Sequence, residues 1–117
     1  MDFNFILPDN GAKYRTMMYK ADVAGPVTKA DIPHLYVSKT WWNENDQPIL
    51  IRLVMERGDD FYGVTLKTKF KLVHRQVVEA TRREIAALDL PVTQIFVRLG
   101  VLDPKAGWNI RLESRHV

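Results

Sequence analysis

Apolar residues in this chain recur at every second position, in short runs closed by proline, glycine and asparagine. Ile49, Ile51, Leu53 and Met55 alternate with Leu50, Arg52, Val54 and Glu56. Successive side chains of a strand point to opposite faces, so this period builds a half-buried strand rather than a helix. The same reading applies to Phe3, Phe5 and Leu7, and to Met17, Tyr19, Ala21 and Val23 within a strand over about 12–22. Between them, Pro8-Asp9-Asn10-Gly11 supplies a turn, and Asn10-Gly11 favours the positive φ of a tight hairpin.

A third strand is expected over His34 to Trp42, followed by the polar turn Asn43-Glu44-Asn45-Asp46-Gln47-Pro48. Arg57-Gly58-Asp59-Asp60 ends the fourth strand, and Val64, Leu66 and Phe70 define a fifth. Thr28 is positioned to cap a short helical turn before Pro33. After residue 90, Ile95, Val97, Leu99 and Val101 alternate with Phe96 and Arg98, and Trp108, Ile110 and Leu112 with Asn109 and Arg111.

One segment breaks the pattern. Val73, Val77, Thr81, Ile85 and Leu88 recur at helical spacing, which predicts one main helix over about 71–88. The expected fold is therefore α+β: a largely antiparallel sheet in the order β-β-β-β-β-α-β-β, with that helix packed on one face. The length of 117 residues predicts one domain over 1–117, long enough to bury a core without covalent staples.

The chain contains no cysteine, which removes disulfides, thiolate metal sites and thiol nucleophiles together. Its start lacks the basic and apolar regions of a signal peptide, and no apolar run reaches the length of a membrane-spanning helix. The expectation is a cytoplasmic protein that engages no membrane. No glycine-rich phosphate loop, nucleotide fingerprint or nucleophile elbow occurs. His34, His74 and His116 have no metal-ligand spacing, and the acids of the two turns match no calcium loop. The chain is accordingly expected to be no enzyme and to use no cofactor or metal.

Positive charge is local. Lys67, Lys69, Lys71, Arg75, Arg82 and Arg83 stand against the single acid Glu79, whereas the rest of the chain has a slight acidic excess. Such a cluster suits an acidic protein surface or a phosphate backbone. On the expected helix, Lys71, Arg75 and Arg82 share a face, with Lys67 and Lys69 on the preceding strand. A second candidate is the polar sheet face, where Arg52, Arg98, Arg111 and Arg115 stand with Tyr36 and Phe96. Arginine among aromatics on an open sheet can hold unpaired bases; pairing of these arginines with Glu56 and Glu113 is the plainer alternative. The third is Trp41-Trp42: adjacent strand residues face opposite sides, leaving one tryptophan as an interface anchor.

These features together predict a small adaptor or inhibitor that binds an acidic protein through the basic patch and an exposed tryptophan. An accessory protein of a phage or other mobile element suits the size and the lack of motifs. Two alternatives remain open: a nucleic-acid-binding module using the 67–83 cluster, and a structural subunit of a larger assembly. No oligomeric state is encoded in these patterns.

Overall fold

The computed structural model describes residues 1–67, 75–80, 91–92, 94–98, 101 and 107–115, with 59–67 and 75–80 described by their backbone alone. In chain order these residues form β1 (Asp2–Ile6), β2 (Thr16–Ala21), a 3-10 turn (Val27–Lys29), β3 (His34–Ser38), α1 (Lys39–Glu44), β4 (Leu50–Lys67), β5 (Arg75–Ala80), β6 (Gln94–Arg98) and β7 (Trp108–Arg115). The sheet path runs β3-β2-β1-β4-β5-β6, and β7 joins β4 off this path. Every neighbouring pair is antiparallel. The largely antiparallel sheet read from the alternation is therefore present, accompanied among the described residues by one short α-helix.

Four expectations are corrected in detail. Residues 75–80, expected within the main helix, form β5, whose Val77 lies opposite Thr65 of β4 and Phe96 of β6. The stripe at 73, 77, 81 and 85 has a spacing of four, which is also a multiple of the strand period. Within β5, Val77 and Val78 are β-branched, and that chemistry favours the pleated backbone. Residues 71–74 and 81–90 lie outside the described residues.

The fourth and fifth expected strands are one. β4 continues through Arg57-Gly58-Asp59-Asp60, where its register against β7 shifts between Arg57 and Phe61. A glycine among polar residues marks a bulge as readily as a turn. This one lets a single strand serve two neighbourhoods. Its first part lies between β1 and β7, and its last part pairs with β5.

The third strand stops at Ser38, and Lys39 to Glu44 form α1. Both tryptophans lie on this helix, partly buried, and both pack against the core. The expectation that one of them projects from a strand is thereby replaced. Helical neighbours are separated by about 100° rather than 180°, so two adjacent side chains can reach the same core. The helix is followed by Asp46 at φ 62° and Gln47 at φ 51°, left-handed positions that reverse the chain. The Asn45 and Gln47 amides donate to the Trp41 and Trp42 carbonyls at 3.0 and 2.8 Å, satisfying groups that the helix end leaves open.

At the first turn, Gly11 N donates to Pro8 O at 3.0 Å. Asn10 does not have positive φ. Glycine is required at position 11 by closeness: a Cβ there would lie 2.6 Å from Leu7 Cδ1 and 2.8 Å from Met18 O.

The path curls into a half-barrel, and its two ends approach each other. Ser38 N donates to Pro91 O and Arg98 N to Asp31 O, both at 2.8 Å, bracketing β3 and β6. Inside lie Phe5, Met17, Tyr19, Leu35, Val37, Ile51, Leu53, Met55, Ile95, Val97 and Trp108, contributed by six of the strands. Fully burying each large aliphatic side chain contributes roughly 1.5–3 kcal/mol.

Candidate binding groove

A groove of about 720 Å³ opens where β3 and β6 meet, lined by Arg15, Thr16, Tyr36, Ser38, Pro91, Gln94 and Phe96. Its construction follows from the strand period. Leu35 and Val37 of β3 and Ile95 and Val97 of β6 point inward and are buried. Tyr36 and Phe96, the residues between them, are turned to the other face, where Tyr36 is 39% exposed. β2 places Thr16 opposite Ser38 and Met18 opposite Tyr36.

Arg15 enters the groove from the turn before β2. That turn is closed by Lys13 N donating to Thr16 O at 2.9 Å and by the bridge between Ala12 and Met17. It presents Tyr14, 88% exposed, with the Arg15 guanidinium 5.5 Å from its ring centroid. Lys39 N donates to Arg15 O at 3.1 Å, which brings a second basic residue to the same end. Among the described residues the lining contains a guanidinium, three hydroxyls, an amide and two aromatic rings, and no carboxylate. This set can stack a planar group and hold an anion.

Of the residues singled out from sequence, Tyr36 and Phe96 come together in this groove. Arg98 shares a strand face with Phe96, two residues on, and its guanidinium pairs with Asp31 at 2.7 Å. The backbone register sets Lys67 opposite Arg75 and Arg75 opposite Arg98, a row of basic residues across β4, β5 and β6. Lys69, Lys71, Arg82 and Arg83 lie outside the described residues.

The remaining arginines stand elsewhere and are paired. Arg52 and Arg111 both donate to Glu113, Arg111 at 2.6 Å. The Arg52 guanidinium, and then that of Arg111, holds the Glu113 carboxyl below its ordinary value, and Glu113 in turn raises Arg52. Arg115 pairs with Asp22 at 3.0 Å and donates to the Ile51 and Phe5 carbonyls. The expected arginine face is thus divided. Arg52 and Arg111 form a cross-strand ion-pair group on β4 and β7, while Arg98 belongs to the groove side.

Trp41 and Trp42 do not line the groove. Trp42 instead packs against the core with its Nε1 buried and without a hydrogen-bond partner among the described residues, while the Tyr19 hydroxyl donates to the Pro48 carbonyl. Burial pushes the Tyr19 phenol up to about 12, with the neighbouring Trp42 acting in the opposite direction.

Sequence reasoning missed Tyr14, Arg15, Thr16 and Ser38. The available signal was the basic–aromatic–basic run Lys13-Tyr14-Arg15, which a strand reading from residue 12 absorbs into the sheet.

Among the described residues, no group of three histidines or acids is placed to hold a metal ion, and no helix is long and apolar enough to cross a membrane. No protein-family model, curated protein or solved structure matches this chain.

Proposed function

We propose that this protein is a non-enzymatic binding module and that the groove between β3 and β6 receives single-stranded nucleic acid. The observation that carries this reading is the meeting of Tyr36, Phe96 and Arg15 in one groove. Unpaired bases stack on aromatic side chains, and their phosphates need nearby cations. Exposed Tyr14 beside Arg15 extends the aromatic surface past one end of the groove. The register of Lys67, Arg75 and Arg98 adds basic residues on the β6 side. Of the sequence-based alternatives this is the nucleic-acid module, relocated from a helix to a sheet groove.

The test is fluorescence anisotropy with labelled single-stranded DNA and RNA of roughly a dozen nucleotides. Binding is expected at low salt, weakening steeply between about 50 and 200 mM, with duplex DNA of the same length bound less tightly. Failure of both single strands to bind at low salt would overturn the reading. Binding of polyglutamate in their place would favour the acidic-protein partner instead.

A further inference from the structure

We infer that β7 is a dimerisation edge, pairing antiparallel with β7 of a second copy about a twofold axis at Leu112. Among the described residues no strand lies beyond β7, which pairs with β4 alone. At eight residues it is longer than the usual strand of about five or six. Long edges invite pairing unless proline, inward charge or a cover blunts them. β7 contains no proline, and its inward face is Trp108, Ile110, Leu112 and Ser114.

The hydrogen bonding fixes which groups face outward. Gly58 N donates to Gly107 O at 3.2 Å, whereas Met55 N donates to Met1 O at 2.8 Å. Even-numbered residues of this part of β4 therefore address β7, and odd-numbered ones address β1. Their partners Asn109, Arg111, Glu113 and Arg115 direct their amides to β4. Ile110, Leu112 and Ser114 are left with N–H and C=O groups on the outer edge.

Charge then selects the register and the partner. With Leu112 opposite its own copy, Arg111 faces Glu113 of the second chain, and the twofold repeats that pair. A register centred on Arg111 would oppose two arginines, which is unfavourable. The chosen register also sets Leu112 against Leu112 and Ile110 against Ser114 on the inward face. Ile110 and Leu112 are only partly buried within one chain, so a second copy extends their cover. The strand is self-complementary, as an isologous twofold interface requires.

The test uses sedimentation equilibrium of the full chain across the micromolar range. The wild-type protein is expected to dimerise reversibly. Arg111→Glu, which opposes Glu113 of the partner, should weaken the dimer about tenfold or more. Ser114→Pro removes an outward N–H and spares the bonds to β4, so it should give a folded monomer by circular dichroism. Because the chain has no cysteine, Leu112→Cys reports the register directly. Opposed Cα atoms about 5.5 Å apart suit a disulfide, so this variant should cross-link to itself and Ile110→Cys should not. A wild-type monomer throughout the range, or cross-linking through position 110 instead of 112, would overturn the inference.

Discussion

The Tyr19 hydroxyl donates to the backbone carbonyl of Pro48, joining the centre of β2 to the turn that follows the tryptophan helix. The bond links residues far apart in sequence and helps hold the turn after α1, whose two indoles pack against the core. Tyr19→Phe keeps the ring and removes the donor. It should lower stability by about 1 kcal/mol, measured by urea denaturation, because one hydrogen bond is lost at a partly buried carbonyl.

The same phenol makes stability depend on pH in the alkaline range. Its folded value of about 12 lies above the ordinary 10.0. The unfolded chain therefore loses this proton first. The contribution of Tyr19 is complete below pH 10 and disappears as pH rises from 10 toward 12. Thermal melts across that range should fall more steeply for the wild type than for Tyr19→Phe. Parallel curves would show that Tyr19 ionises freely in the fold.

Glu113 predicts the opposite dependence, in acid. Arg52 and Arg111 favour its charged form, so its folded value is depressed. The stability it contributes is present above the unfolded carboxylate value and is lost as pH falls through the folded one. Titration followed by carboxyl-carbon NMR should give Glu113 a midpoint below that of an unpaired glutamate. Arg52→Gln should move this midpoint upward more than Arg111→Gln, since Arg52 contacts the carboxylate through two nitrogens.

Gly11→Ala should be destabilising by about 1–3 kcal/mol, read from the denaturation midpoint. The added methyl meets a backbone oxygen of β2 at 2.8 Å, which cannot rotate away as a side chain would. Gly25→Ala is the control, because nothing lies within 4 Å of a Cβ there. It should leave stability within about 0.5 kcal/mol of wild type.

In the groove, Tyr36→Ala and Phe96→Ala should each weaken single-strand binding by about 1–3 kcal/mol while leaving the circular dichroism spectrum unchanged. Arg15→Ala should reduce the salt slope of binding by about one phosphate contact. Trp42→Ala should act differently. It removes a side chain packed on the core and should cost about 3 kcal/mol of stability, with binding affected only as folding fails.

The local alternation of apolar and polar residues determined most of the sheet. Phe5, Tyr19, Ile51, Leu53, Ile95 and Val97 are readable as inward residues from sequence, and they are buried. The same period put Tyr36 and Phe96 on the opposite face. Their meeting was not readable, because β3 and β6 approach through curling of the whole path and are joined by Arg98 to Asp31 and Ser38 to Pro91. Local period was ambiguous at residues 75–80, where a four-residue spacing satisfies helix and strand alike. Pairing with β4 and β6 decides in favour of the strand. At Gly58 a turn signal became a bulge because β7 remains paired on both sides of it. At Trp41-Trp42 the chain leaves β3 as a helical turn, which lets two adjacent indoles pack on one core. Sequence determined which faces are apolar, since that depends on neighbours along the chain. Tertiary structure decided which faces meet and which strands pair, since those depend on residues brought together only by the curl of the sheet.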